Sequence, residues 1–233
     1  MNLENKHIVI TGVSKGIGLE LTKQLTVKGA NVYGWGRNAP SDFSHENFHF
    51  FTCDVQSEQS VIEAAKATLE KSGGQIDGLI NNAGLGYFGF LEEQPMKEIE
   101  TMINTNILGV IYATRSVLPT MKARESGHII NISSIAGIEA YQQVSVYSAT
   151  KFAITGYSQA LYKELRDKGV KVTCIHPGST ETNFFDNVDA ITAHSNMLSP
   201  VEVAANIIFV LESSDNFLTN TLVFRPMNPK PKK

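Results

Sequence analysis

Short apolar runs alternate with helix-period patterns along almost the whole chain, and that alternation constrains the fold more than any single residue does. His7 to Thr11 is a short apolar run; a glycine-rich turn follows, and then Ile17, Leu21 and Leu25 recur at four-residue spacing until Gly29 closes the helix. Ala30 to Trp35 and Phe48 to Cys53 read as the second and third strands, and Val61, Ile62, Ala65 and Leu69 trace one face of the helix after them. Ile76 to Asn81 is a fourth strand. Met96 to Lys122 is helical, with Ile99, Ile103, Ile107 and Ile111 on one stripe, and the strand His128 to Ser133 follows. The helix Val146 to Lys168 ends at Gly169, Val170 to His176 is a strand, and a loop of mixed composition runs from Pro177 to Leu198. Ser199, Pro200 and Glu202 then combine an N-cap, a proline at the first helical position and a capping-box acid, ahead of a final strand, Leu218 to Phe224.

Parallel neighbours in a sheet need crossover connections, which are usually helical. The order therefore predicts an α/β fold, a doubly wound (Rossmann) three-layer αβα sandwich around a mostly parallel sheet of about seven strands. Neither an internal repeat nor a linker divides the sequence, so the expected organisation is a single domain over residues 1–226, with a substrate loop at about 177–198 and a flexible basic tail at 227–233. With 233 residues, 42% of them hydrophobic, the chain can bury a large core, and a net charge of -3 gives no general attraction to nucleic acid or to an anionic membrane. A small molecule is the expected partner. The N-terminal residues lack the long apolar region of a secretory signal, and the longest apolar stretch, Val203 to Leu211, falls far short of the ~20 residues that span a bilayer. A cytoplasmic location without a membrane span is expected. Cys53 and Cys174 each sit inside a strand-like run and are expected to be buried packing residues, not a disulfide or a metal site.

In sheets of this kind ligands bind beyond the carboxyl ends of the strands, and each polar cluster in the sequence falls just after a predicted strand. After the first comes Gly12, Val13, Ser14, Lys15, Gly16, Ile17 and Gly18, where glycines let the backbone turn sharply and approach a pyrophosphate on the positive end of the next helix. After the second comes Arg37 with no acid before Asp42; an acid there would bond a ribose 2′-hydroxyl, whereas Arg37 with Lys15 reads as a two-cation clamp for a 2′-phosphate, and NADP(H) is the expected cofactor. Asp54 and Val55 follow the third strand, where Asp54 either accepts a bond from an adenine amino group or simply begins a helix. Asn82, Ala83 and Gly84 follow the fourth and read as cofactor contacts; for Asn81, contact and scaffold duty are equally open.

Tyr147 and Lys151 stand four residues apart in a helical pattern, so both leave the same face, and Ser134 ends the preceding strand. A free tyrosine titrates near ~10 and a nearby ammonium favours phenolate, so Lys151 is expected to tune Tyr147 toward neutral pH. With the Ser134 hydroxyl holding a substrate oxygen, Tyr147 can give up its proton as hydride arrives, or take one in reverse.

Taken in order and spacing, Thr11-Gly12, Gly16-Ile17-Gly18, Asp54, Asn82-Ala83-Gly84, Asn106, Ser134, Tyr147, Lys151 and Pro177-Gly178 make the chain resemble the short-chain dehydrogenases/reductases over nearly its whole length. The resemblance implies a tetrad in which Ser134 orients the carbonyl, Tyr147 is the acid or base, Lys151 bonds the nicotinamide ribose while lowering the Tyr pKa, and Asn106 holds a water linking Lys151 to solvent. It places Pro177 and Gly178 near the nicotinamide, with Thr180 and Thr182 at its carboxamide; Thr180 stands where a branched apolar residue is common. It also implies a homo-oligomer, tetramer or dimer, built through the two long central helices. The ending Asn220 to Pro226 departs from the Gly-rich terminus of many members and is similar to the branch acting on small hydroxy acids and related alcohols.

Substrate signals conflict. No Lys or Arg occurs between Lys171 and Arg225, while Glu181, Asp186 and Asp189 lie in the substrate loop; Tyr87, Phe88, Tyr141, Phe184 and Phe185 add aromatic surface, so the loop suggests an uncharged, apolar carbonyl or alcohol. His45-Glu46-Asn47-Phe48-His49 matches a zinc-protease pattern, but that pattern needs a helix and Phe48 to Phe51 reads as strand, so no metal is expected. His176 reads as a polar neighbour of the site. The competing class is a dinucleotide sensor that kept the fold and lost the chemistry; the intact Ser134, Tyr147 and Lys151 argue against it. A sugar-nucleotide epimerase ranks last, because the short stretch beyond Pro177 leaves little room for a separate substrate domain.

Overall fold

Strand β1 (His7–Thr11) turns Ile8 and Ile10 to one face of the sheet and Val9 to the other, and the two faces acquire separate cores. The computed structural model describes residues 1–182, 184 and 194–228. On the Ile8 side pack α1 (Gly16–Val27), through Leu21 and Leu25, and α6 (Pro200–Leu211), through Val203 and Ile207. On the Val9 side pack α2 (Glu58–Lys71), through Val61, α4 (Gly109–Ala123), through Val117, and α5 (Ser145–Leu165), through Leu161.

The remaining strands are β2 (Asn31–Gly36), β3 (Phe48–Thr52), β4 (Gly78–Asn81), β5 (Gly127–Ile132), β6 (Val170–Pro177) and β7 (Thr221–Phe224). They form one seven-stranded sheet in the order β3-β2-β1-β4-β5-β6-β7, and every pairing is parallel. Central strands β4 and β5 are buried at every residue, as a strand covered on both faces must be, whereas edge strand β7 alternates exposed and half-buried positions. The order reverses at β1, which has β2 on one side and β4 on the other; the connections diverge there and leave a crevice at the carboxyl ends.

The helical stretch from Met96 resolves into α3 (Met96–Ile103), a π-helical turn (Asn104–Leu108) and α4. The π turn is the one departure from its four-residue periodicity, and it re-aims Asn106 into the interior. Ser199 caps α6 by accepting from the Val201 amide at 3.2 Å, with Pro200 at the first position. Gly169, at φ 68°, takes the left-handed turn that leads α5 into β6. Phe185, Asp186 and Asp189 lie outside the described residues, as do residues 229–233 of the tail. Among the described residues no helix is long and apolar enough to cross a membrane.

At the opposite, amino-terminal edge of the sheet, Asp77 is only 5% exposed. It accepts from the His7 amide at 2.9 Å and from Arg124 at 2.9 Å, with Lys6 3.6 Å away. Burial raises the pKa of this carboxyl, but the His7 amide, Arg124 and Lys6 outweigh it and hold it below the usual carboxylate range. Asp77 therefore stabilises the fold above that range and loses its contribution as pH falls through the depressed value. Asp77→Asn is expected to cost about 2 kcal/mol at neutral pH, because Arg124 loses its charge partner while remaining partly solvated. Urea unfolding of the two proteins at pH 7 and at about pH 2 checks this, with the gap narrowing at the lower pH, where the carboxyl is protonated in both states.

Candidate active site

The carboxyl ends of the strands open into a cleft of about 1090 Å³. Gly12, Ser14, Lys15, Gly16 and Ile17 line it after β1; Arg37 lines it after β2, Asp54 and Val55 after β3, and Asn82, Ala83 and Gly84 after β4. Ser134, Tyr147, Lys151, Pro177, Gly178, Thr180 and Thr182 complete the set. Gly18 and Asn106 stand just behind the surface and shape it.

The glycine-rich turn is built by close approach. Gly12 and Gly16 take positive φ values of 74° and 61°. A Cβ on Gly18 would overlap the Gly12 carbonyl oxygen and sit 2.5 Å from the Asn82 side-chain amide. That amide donates to the Thr11 and Gly12 carbonyls at 3.0 and 2.9 Å, while the Thr11 hydroxyl accepts from the Asn82 and Ala83 amides at 3.1 and 3.0 Å. The end of β4 thus sets the shape of the loop after β1. Lys15 occupies the N-cap of α1 without a side-chain cap, and no acid stands in the first turn, so the helix start presents backbone amides to an anion.

Asn81 is buried and donates to Asn131 at 2.8 Å and Thr114 at 3.1 Å, which settles it as scaffold. Asp54 does not begin a helix: α2 starts at Glu58 under a Ser57 cap, and the Asp54 carboxylate accepts from the Gln56 amide at 3.0 Å.

Tyr147 and Lys151 project from α5 toward the end of β5. The Ser133 hydroxyl donates to the Lys151 carbonyl at 2.9 Å, and Thr155 donates to the Gly137 carbonyl at 3.0 Å. A Cβ on Gly137 would collide with the Ser133 hydroxyl and lie 2.7 Å from the Lys151 carbonyl oxygen. Ser133 and Gly137, unremarkable in the sequence, therefore hold Ser134 against the Tyr147 face of the helix. Lys151, 5% exposed, donates to the Ile132 carbonyl at 3.0 Å, and its ammonium is 5.8 Å from the Tyr147 ring centre.

Here the expected tuning of Tyr147 toward neutral pH is corrected. Burial pushes the phenol up to about 12, a rise opposed by its hydrogen bond with the Ser134 side chain, and burial pushes Lys151 down to about 8. Desolvation is the largest cause for both groups, because neither faces solvent, and the ammonium bonds a carbonyl instead of the phenol.

Asn106 accepts from the Leu85 amide at 3.0 Å and donates to the Leu85 carbonyl at 2.8 Å and to Thr150 at 3.1 Å. Gly84 lies between it and Lys151, since a Cβ there would be 3.4 Å from each side chain. Thr180 donates back to the Gly178 carbonyl at 3.0 Å, and the Thr182 methyl would lie 3.3 Å from a Cβ on Gly16. His176 is buried behind Ser134, its Nδ1 3.1 Å from the Ser134 carbonyl oxygen.

The rings of Phe88 and Phe184 each approach Tyr147 to 5.5 Å, and Gly86 leaves them room: a Cβ there would be 2.8 Å from Phe184 and 3.1 Å from Tyr147. Tyr87 and Tyr141 also line the cleft. So does Arg225, which sequence reasoning passed over. Its signal was the parallel pairing of the last two strands, which sets Phe224 opposite Pro177 and carries Arg225 to the same end of the sheet. The segment His45 to His49 runs into β3, with His49 packed 5.4 Å from the Tyr33 ring, and among the described residues no three His, Cys, Asp or Glu side chains group as a metal site. Cys53 and Cys174 are both buried, Cys53 beside the cleft.

A family model described as short chain dehydrogenase matches residues 6–192. An uncharacterised oxidoreductase of Staphylococcus saprophyticus is 34% identical, over 97% of this chain and 100% of its own. Among solved structures, the closed form of serine dehydrogenase complexed with NADP+ superposes with a TM-score of 0.87 at 33% identity, covering 94% of each chain. ElxO with NADP bound gives a TM-score of 0.85 at 30% identity, covering 94% of this chain and 96% of that one.

Proposed function

The chain belongs to the short-chain dehydrogenase family, and on that premise we propose that it is an NADP(H)-dependent oxidoreductase of the carbonyl-reductase type, with Tyr147 as the proton-transfer residue. The observation that carries this is the convergence of Ser134, Tyr147 and Lys151 at one end of a cleft whose other end is a glycine cradle. That cradle fits a nicotinamide dinucleotide: backbone space at Gly12 and Gly18 and open amides at the start of α1 suit a pyrophosphate, and Arg37 and Lys15 suit a 2′-phosphate. Two relatives of this fold solved with NADP support the same choice.

When bound, the cofactor supplies or accepts the hydride. Asp54 and Val55 border the adenine end; Asn82, Ala83 and Gly84 wall the middle; Pro177, Gly178, Thr180 and Thr182 border the nicotinamide end. Ser134 orients the substrate oxygen. Tyr147, with its pKa raised by burial, keeps its proton at neutral pH and donates it as negative charge develops on that oxygen. Lys151, buried and cationic below about pH 8, stabilises the phenolate left behind. Asn106 fixes the Leu85 backbone beside Lys151. Phe88 and Phe184 keep bulk water from the phenol. Ile103 and Phe152, exposed on α3 and α5, support assembly as a homo-oligomer through these helices.

The test follows NADPH and NADH absorbance separately against a library of small aldehydes and ketones. NADPH is expected to be oxidised with at least one carbonyl, and to be preferred about tenfold or more in kcat/KM, the scale of a charge-assisted phosphate contact. Oxidation of neither cofactor by any carbonyl would overturn the proposal.

A further inference from the structure

We infer that the cleft contains a carboxylate subsite built on Arg225, so that the substrate is the anion of a small oxo acid or hydroxy acid; the inference rests on the carbonyl-reducing reading of the same cleft. Among the described residues the cations lining the cleft are Lys15 and Arg37 at the glycine-rich end, Lys151 buried beside the phenol, and Arg225. Arg225 is fastened at the Pro177–Gly178 end: the Gly178 amide donates to the Phe224 carbonyl at 2.8 Å, and Pro226 would lie 3.0 Å from a Cβ on Gly178. It is thus the one lining cation left for the substrate half once the cofactor and Tyr147 have theirs.

The guanidinium already binds a carboxylate. Arg225 Nη2 donates to Glu139 Oε1 at 2.6 Å, and the Tyr141 hydroxyl donates to Glu139 Oε2 at 2.7 Å. Glu139 lies between the Ser134 turn and α5, so this contact ties the end of β7 to the segment that joins Ser134 to Tyr147. Arg225 and Tyr141 line the cleft. A guanidinium carries five N–H donors, and Glu139 orients the fork without exhausting it. Both partners are about half exposed, at 46% and 51%, so solvent screens the pair and an incoming carboxylate can share or replace Glu139.

The rest of the cleft suits such a molecule. Its carbonyl would meet Ser134 and Tyr147, its carbon chain the faces of Phe88 and Phe184, and its carboxylate Arg225 and Tyr141. The expectation of an uncharged substrate came from the cation-free stretch before Arg225; that stretch ends at the very residue the fold returns to the cleft.

The experiment measures NADPH-dependent reduction of 2-oxobutanoate, acetoacetate and 4-oxopentanoate, each beside its methyl ester, by the wild type, Arg225→Met and Arg225→Lys. The wild type is expected to favour at least one acid over its ester by about tenfold or more in kcat/KM, Arg225→Met to reverse that preference by about 100-fold, and Arg225→Lys to fall between. Thermal melts confirm that the variants fold. A wild type that uses the esters as well as the acids, or an Arg225→Met that slows both alike, overturns the subsite. If no carbonyl is reduced at all, the oxidoreductase reading has failed instead. Calorimetric titration of acetoacetate into the NADP+-saturated proteins then decides the subsite alone: binding weakened at least about tenfold by Arg225→Met sustains it, and equal or absent binding overturns it.

Discussion

Tyr147→Phe is expected to lower kcat by about a thousandfold or more while leaving NADPH affinity within about threefold of the wild type. The substitution removes one oxygen. The ring keeps its packing against Phe88 and Phe184, and the hydrogen bond with Ser134 is the interaction lost on the protein side. What disappears is the proton that must reach the substrate oxygen as the carbonyl is reduced. Single-turnover oxidation of bound NADPH, read beside a fluorescence titration of NADPH, separates the two effects. A variant that keeps more than about a tenth of the wild-type rate, or that no longer binds NADPH, would sink the assignment. A dinucleotide sensor would behave differently again, with no turnover to lose. The pH profile adds a second reading. Lys151 is cationic below about 8 and neutral above it, so its help to the nascent phenolate is present at neutral pH and withdrawn as pH rises; reduction should slow above about pH 8.

The direction of the Tyr147 shift was not legible in the sequence, and the reason is instructive. Spacing placed Tyr147 and Lys151 on one helical face, and they do share it. Spacing says nothing about desolvation, which depends on Phe88, Phe184 and Ala136, residues brought in from other segments. The same division runs through the rest of the molecule. Apolar periodicity identified strands and helices to within a few residues, because each buried face repeats along its own element. Whether Asn81 or Asn82 faced the cleft depended on a hydrogen bond to Asn131, fifty positions away, and only the sheet register brings the two together. Of the two alternatives open for Asp54, the helix start fails because Ser57, three residues on, is the cap that α2 uses. Arg225 escaped notice because its importance lies in the pairing of β6 with β7 and in a partner, Glu139, from the middle of the chain.

Gly18→Ala is expected to weaken NADPH binding by about 100-fold or more and to destabilise the fold by about 1–3 kcal/mol. Helix propensity argues the other way, since alanine inside a helix is favoured over glycine by about 1 kcal/mol. The local geometry overrides it. A methyl group on Gly18 overlaps the Gly12 carbonyl oxygen and comes within 2.5 Å of the Asn82 side-chain amide, the group that donates to that carbonyl at 2.9 Å. Neither obstacle is the free end of a flexible side chain. Either α1 withdraws from the loop or the loop abandons its tie to Asn82, and in both cases the α1 amides and Gly12 no longer address one point in space. Gly156→Ala is the control: Gly156 sits in α5, a Cβ there meets nothing within 4 Å in the same chain, and NADPH affinity should stay within about threefold of the wild type. Urea unfolding and NADPH titration of both variants make the comparison. A Gly18→Ala protein that binds NADPH within about threefold of the wild type would mean that the contact between the loop and the helix start does not shape the cofactor site.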